Sequence, residues 1–231
     1  MLARLIFTLA LWASLCGGAQ AQDNPVVVEL FTSQGCSSCP PADALLAELG
    51  QRDDVIPLAL HVDYWDYIGW KDRFAKPGFT TRQKGYARAQ GEKMVYTPQI
   101  IVNGVEDTVG SRPMKVAELI QKHAAHPAQV KLEVSRQGGQ LVIRASSAHP
   151  MRPSDIHIVR YQPRREIAIL RGENAGNKFT YTHIVDDWKV AGRWDGQGTY
   201  ETRVPIEGDQ PVVVLVQEPR YGPIVAAARL R

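Results

Sequence analysis

Cysteine is scarce in this chain, and what is missing around it narrows the chemistry. Three cysteines occur in 231 residues: Cys16, Cys36 and Cys39. A closed structural zinc site takes four ligands, and no second cysteine pair exists to supply them. Attachment of c-type haem needs a His after the second cysteine, where Pro40 stands instead. His123, His126, His149, His157 and His183 show no metal-ligand spacing, so no resident metal or other cofactor is expected. No phosphate loop, Ser/His/Asp order or paired-carboxylate motif stands out. Long apolar runs are lacking after residue 21, so no membrane span is expected once a leader is removed. A dominant charge is lacking too: 27 Lys and Arg face 24 Asp and Glu, a net of +3, and the basic residues are scattered. That balance calls for neither nucleic acid nor an anionic membrane as a partner. Internal repeats and low-complexity linkers are also missing.

What is present begins with an export signal. Arg4 supplies a positive start, Leu5 to Leu15 is a short apolar stretch, and Ala19-Gln20-Ala21 is a small-x-small cleavage site. Residues 1–21 are expected to be a signal peptide, with the mature chain starting at Gln22 and exported, in a bacterial setting to the periplasm. Leu15 before Cys16 argues against a lipoprotein. Removing the leader leaves Cys36 and Cys39 alone in an oxidising compartment, which permits a disulfide. A bridge closing so short a loop stabilises little, because the chain-entropy contribution grows with loop length. A lone vicinal pair is therefore better explained by chemistry than by structure.

The surroundings of the pair support this. Val26-Val27-Val28-Glu29-Leu30-Phe31 reads as a buried strand. Ala42, Leu45, Leu46 and Leu49 follow helical spacing, Pro40 and Pro41 suit only a first turn, and Gly50 suits a C-cap. Cys36-Ser37-Ser38-Cys39 thus lies where a strand hands over to a helix, the setting of a redox dithiol. Unpaired N–H groups and the helix dipole favour thiolate there. Cys36, at the strand exit, is expected to be the exposed nucleophile, and Cys39, one turn on, the buried resolving residue. Glu29 is either a strand charge or a buried carboxyl moving protons beneath the dithiol.

Val55 to Val62 reads as a second buried strand, completing a βαβ unit. Residues 63–96 form an aromatic-rich insertion, in which Tyr64, Trp65, Tyr67 and Trp70 pack as core or, with Trp65, line a peptide-binding surface. Thr81 to Gly91 reads as a surface helix with Arg82, Lys84 and Arg88 solvated. Thr97-Pro98 opens an apolar strand, Asn103-Gly104 reads as a hairpin turn, and a helix follows from about Pro113 to His123.

A Cys36-Ser37-Ser38-Cys39 motif at a strand–helix junction, then Thr97-Pro98 opening a strand–turn–strand, then a last helix, resembles the thioredoxin superfamily over roughly residues 25–126. The resemblance implies a cis Pro98 facing the dithiol, with Thr97 beside it in the substrate groove. Phe31 to Asp43 together with Arg171-Gly172-Glu173-Asn174-Ala175-Gly176 resembles, more narrowly, a bacterial family of exported thioredoxin-like proteins of unknown function. The chain departs from thioredoxins in the Ser-Ser between its cysteines and in its long insertion. Glu29 also lies one residue further from the first cysteine than the thioredoxin acid, so matching it requires a strand bulge.

Past Pro127 the period changes to two. Candidate strands are Val130–Val134, Leu141–Arg144, Asp155–Tyr161, Glu166–Leu170, Phe179–Val185, Thr199–Val204, Val212–Gln217 and Ile224–Leu230. Their spacing suggests a small sandwich. The expected fold class is an α/β thioredoxin-like domain at 22–127 followed by an all-β sandwich-like domain at 128–231. Arg171 to Gly176 reads as a stabilised turn, and Trp188 and Trp194 as core or interface. The expected function is thiol–disulfide exchange on protein or small-molecule thiols, working with a redox partner protein. Cys36 and Cys39 react, Pro98, Thr97 and Trp65 shape the groove, and Glu29 moves protons. The alternative is a non-catalytic adaptor or metal-delivery protein, with Cys36, Cys39 and His61 holding Cu(I).

Overall fold

The computed structural model describes residues 24–231; the expected leader and Cys16 lie outside them. Val26–Thr32 forms strand β1 and Val55–His61 strand β2, each buried at every position. They pair in parallel, Val26 beside Val55 through Thr32 beside His61, with no break in register. Pro40–Leu49 forms helix α1 between them. Pro77–Gln90 is helix α2, Gln99–Val102 and Glu106–Val109 are strands β3 and β4, and Pro113–Ala124 is helix α3. Strand β3 joins the other side of β1, antiparallel.

The two faces of this sheet are covered differently. Leu46 and Leu49 of α1 and Val116 and Ile120 of α3 pack against Val28, Leu30 and Ile100. On the opposite face, Phe79 and Tyr86 of α2 pack against Val27, Phe31, Leu58 and Leu60. Alternation along β1 therefore sends even-numbered side chains toward α1 and odd-numbered ones toward α2.

After α3 the described chain is all strand: β5 Lys131–Gln137, β6 Gln140–Ser146, β7 Ser154–Ala168, β8 Lys178–Trp194, β9 Thr199–Pro205, β10 Val212–Gln217 and β11 Ile224–Leu230. Strand β7 absorbs two of the expected short strands into one, and β8 runs on through Trp188 and Trp194. These strands do not form a self-contained sandwich. One sheet has the order β11-β10-β7-β8-β2-β1-β3-β4, and a second has the order β5-β6-β9. Four C-terminal strands thus extend the N-terminal sheet, joined where Ala59 of β2 bridges Ile184 of β8. The expected boundary at residue 127 does not divide the core, since Phe31 and Leu60 share a cluster with Val159, Val213 and Leu215. Without β8, β2 would present an unpaired edge of buried apolar residues, a poor end for a sheet. Periodicity records that β2 is covered but not which later strand pairs with it. The small sheet packs on the distal part of the large one, Leu141 and Ile143 against Ile158 and Val214.

The β7–β8 hairpin carries the C-terminal half to the dithiol end. It leaves regular strand geometry at His183, where φ is 52°. Phe179, Thr180 and Thr182 then lie across a cleft of about 360 Å³ from Pro40, Asp43 and Ala47 of α1. Gly50 ends α1 as expected but with an ordinary helical φ of −65°. It is needed for close approach, because a Cβ there would run into the His183 ring.

Helix α2 corrects one expectation. Lys84 and Arg88 are exposed, but Arg82 is only 6% exposed. Glu29, fully buried in the middle of β1, holds it there (Nε to Oε1 2.6 Å, Nη2 to Oε2 3.1 Å). A buried carboxylate needs such a partner. Tyr86 also donates to Glu29 at 2.6 Å, Gln217 of β10 accepts from Arg82 at 3.0 Å, and the guanidinium lies 3.8 Å from the Trp188 ring centre.

Candidate functional site

The site forms where β1 ends and α1 begins. Ser33 takes up the turn through its carbonyl, which accepts from Cys36 N, and its hydroxyl, which accepts from Gly35 N. Cys39 sits at the N-cap of α1, with prolines in the first turn. Pro40 and Pro41 cost nothing in hydrogen bonds here, because first-turn donors have no helical acceptor. Cys36 and Cys39 are joined by a disulfide, their Cα atoms 5.4 Å apart. Ser37 and Ser38 face solvent, and Ser38 Oγ lies 3.4 Å from Cys36 Sγ. Cys36 is not the exposed residue the sequence suggested: it is 1% accessible and Cys39 0%.

Three expected neighbours converge on this bridge. The Thr97–Pro98 bond is cis, and Pro98 is buried. Gly110 lies where an added Cβ would touch both Pro98 and Ala42 of α1, at 3.3 and 3.0 Å, which sets Pro98 beside the first turn of that helix. Thr97 accepts from the Trp65 indole at 2.8 Å. Trp65 and Ile68 close over Gly35, leaving a Cβ there only 3.1–3.3 Å of room. Cys36, Cys39, Pro98, Thr97 and Trp65 therefore share one neighbourhood. Glu29 does not join them. Strand β1 has no bulge, so Glu29 stays on the α2 face, opposite α1, with its carboxylate taken up by Arg82 and Tyr86.

A different set of ionisable groups lies on the α1 side. His61 ends β2 next to Thr32, is fully buried, and shares a 2.7 Å hydrogen bond between Nδ1 and Asp72 Oδ2. Phe74 and Tyr181 pack edge-on against its ring, each with centroids 5.2 Å away. Burial alone would push the His61 pKa down, but the charges of Asp72 and Asp43 outweigh it and hold the imidazole above its usual value. Asp72 is itself buried, yet His61 and the backbone N–H groups of Gln34 and Phe74 keep it below the usual carboxylate range. Asp43, one turn into α1 from Cys39, behaves oppositely. Burial pushes its carboxyl up to about 7, with the His61 charge and the Thr32 hydroxyl pulling the other way. The pair His61–Asp72 is thus held charged, and Asp43 titrates near neutrality. Among the described residues the buried His61 Nε2 has no hydrogen-bond partner. Sequence alone did not single out Asp43 or Asp72; the available signal was an acid on the buried side of a helix directly after the dithiol.

Gln34, fully buried two residues before Cys36, is gripped on three of its polar atoms. Its N–H donates to Asp72 Oδ2 at 2.8 Å, its side-chain oxygen accepts from the Trp70 indole at 2.8 Å, and its carbonyl accepts from Asn174 Nδ2 at 2.9 Å. Asn174 donates from the same nitrogen to the Cys36 carbonyl at 3.0 Å. The Arg171 to Gly176 turn therefore serves the dithiol loop as well as itself. Among the described residues no three His, Cys, Asp or Glu side chains converge as a metal-binding group, so the set Cys36, Cys39 and His61 is not assembled as a ligand cluster. No helix of the described residues is long and apolar enough to cross a membrane.

Comparison with known proteins adds a family and a fold. The profile of a family described as "Protein of unknown function (DUF1223)" matches residues 27–217. A crystal structure of protein AGR_C_4864 from Agrobacterium tumefaciens is similar over 91% of this chain and 96% of that one, with 32% identity and a TM-score of 0.78. HBP35 of Porphyromonas gingivalis is similar over 90% of this chain and 75% of that one, with a TM-score of 0.66; at 16% identity the likeness is one of fold alone. No curated protein matches the sequence.

Proposed function

The chain belongs to a protein family of unknown function (DUF1223), and we propose that its activity is thiol–disulfide exchange outside the cytoplasm, on a thioredoxin-like framework. The observation that carries this is the Cys36–Cys39 disulfide at the start of α1, the helix whose first turn Pro98 lies beside. A bridge between residues three apart restrains little of the unfolded chain, so its value lies in being made and broken.

In the reducing direction, the Cys36 thiolate attacks one sulfur of a partner disulfide. A Cys36–partner disulfide forms, the partner's own S–S bond breaks, and its released thiolate takes a proton from water. The Cys39 thiol then gives its proton to a base and attacks Cys36 Sγ. The Cys36–partner bond breaks, the second partner thiolate leaves with a proton, and the Cys36–Cys39 bond closes. Two electrons and two protons have passed to the partner, and oxidation of a partner dithiol is the reverse. Asp43, rather than Glu29, is the base. It follows Cys39 by one helical turn on the same side, and its carboxyl titrates near the pH at which the proton must move. Burial raises that value, the His61 charge draws it back down and the Asp72 charge adds a smaller upward push; Asp72 also fixes the loop through Gln34. Trp65 closes over Gly35, next to Cys36, and Thr97 holds its indole.

Titration of the purified protein in glutathione buffers of defined ratio, with insulin reduction and dithiol oxidation followed in parallel, tests the proposal. Reversible cycling of the bridge with turnover in either assay is expected. A bridge that opens only on unfolding would overturn the reading. Stoichiometric Cu(I) uptake by the reduced chain without turnover would favour the metal-delivery alternative.

A further inference from the structure

A disulfide that reacts with partners should be reachable, yet both of its residues are buried, and one later segment is bonded to the backbone at Gln34 and Cys36. That segment is the tip of the β7–β8 hairpin. Its closing hydrogen bonds are internal: Ile169 N to Asn177 O, Gly176 N to Ile169 O and Ala175 N to Gly172 O. Between Leu170 and Asn177 only Asn174 is buried; Leu170, Arg171, Glu173 and Ala175 face solvent. Gly172 and Gly176, with φ of 81° and 83°, allow the chain to turn inward at Asn174 and out again. Gly172 rests on the insertion, with room for a Cβ only 3.4 Å from Trp70 Cβ. The tip is therefore held on the dithiol loop by one polar side chain, over a base anchored by Ile167 and Ile169.

We infer that this tip is a displaceable shield, held by Asn174, that disfavours small thiols at Cys36 and favours a polypeptide partner. The inference rests on the exchange reaction proposed above. Lifting the tip breaks both Asn174 hydrogen bonds and bares the Gln34 and Cys36 carbonyls. A partner shifts that equilibrium only by what it gains in the open state. A small thiol or phosphine contacts little besides the sulfur, so it bears the opening cost in full. An extended chain segment has backbone N–H groups to replace the two Asn174 donations, and side chains to lie on the Ile68 and Trp70 surface that the tip vacates. The selectivity comes from a contact that must be broken rather than from a pocket that must be filled.

The test compares two reductants of the oxidised protein: tris(2-carboxyethyl)phosphine as the small probe, and reduced, unfolded ribonuclease as the polypeptide probe. Asn174→Ala removes both hydrogen bonds, and Asn174→Asp keeps the size but not the donors, so one serves if the other fails to fold. With two modest hydrogen bonds lost, the phosphine rate should rise by about tenfold or more in both variants. The ribonuclease rate should rise far less, so the ratio between probes collapses. Unchanged phosphine rates in a folded variant, or equal gains with both probes, would overturn the shield while leaving the exchange reaction standing. A wild-type bridge that reacts with neither probe, and stays inert in both variants, would overturn the exchange reaction and the shield with it.

Discussion

Replacing Asp43 by Asn should change how stability depends on pH, whatever the protein's partner is. The carboxyl lies buried under the first turns of α1, where its pKa rises from 3.8 to about 7. An acid held above its unfolded value binds more protons when folded. Stability must then fall as pH rises between those two values. At ~1.36 kcal/mol per pH unit, the whole rise amounts to about 4 kcal/mol. About 2 kcal/mol of it falls between pH 5 and pH 7, where unfolding is conveniently measured. His61 adds to the trend, because its folded value lies above 6.5. Its contribution is complete below 6.5 and is lost as pH rises through the folded value. Asp72 acts at the acid end. Its folded value lies below 3.8, so its contribution is present above 3.8 and disappears only as pH falls through that lower value.

Urea unfolding of the oxidised wild type and of Asp43→Asn, at pH 5 and pH 8, isolates the Asp43 part. The wild type should lose stability over this range by about 3 kcal/mol more than the variant does. The variant should therefore be the more stable of the two at pH 8. Parallel losses in the two proteins would refute the burial-driven shift and with it the choice of Asp43 as proton carrier. The same variant should also release partners from Cys36 more slowly by about 10²-fold or more, the usual scale for losing a positioned acid or base.

Further outcomes follow from other contacts. Cys39→Ser should accumulate mixed disulfides through Cys36 when mixed with an oxidised small disulfide, whereas Cys36→Ser should accumulate few; equal trapping, read by mass spectrometry, would reverse or cancel the assignment. Arg82→Met leaves Glu29 buried without its cation and should cost about 3–5 kcal/mol in urea unfolding, and a loss below 1 kcal/mol would mean that water or a proton replaces the guanidinium. A chain ending at residue 127 should fail to fold, because β2 loses β8 and the cluster around Phe31 and Leu60 loses Val159, Val213 and Leu215; a cooperative unfolding transition in that fragment would show the N-terminal half to be self-sufficient.

How far the sequence could be read depended on the distance over which each interaction acts. The β1–loop–α1 unit was legible because an apolar run, two cysteines, two prolines and a helical apolar spacing lie within 25 consecutive residues. Pro98 was reached through a resemblance, and the structure sets it beside α1 through Gly110 and Ala42. A proton-carrying Glu29 requires a strand bulge, and the unbroken register with β2 sends its side chain to the other face. A cation on a helix is usually solvated, and nothing local to Arg82 shows that a carboxylate 53 residues earlier is buried against it. Composition places Asn174 in a turn, while its partners lie 138 and 140 residues away. Local pattern fixes which segments are strand or helix, while pairing between distant segments is decided by which buried groups can satisfy one another.

The organisation of Gln34 gives the C-terminal half a function that a docked sandwich would lack. One residue of the dithiol loop takes a carboxylate and an indole from the insertion and an amide from the hairpin tip. Each is supplied by a segment whose position depends on the eight-stranded sheet, since Tyr181 of β8 packs on Phe74 beside His61 and the hairpin base packs on Trp70. A change in any of these supports reaches the backbone next to Cys36 directly. The α/β framework brings the two cysteines to the end of a helix, but the loop's conformation and cover are set by residues 65–74 and 167–181. Differences in reactivity among relatives with the same Cys-Ser-Ser-Cys motif should therefore map to those two segments before they map to α1.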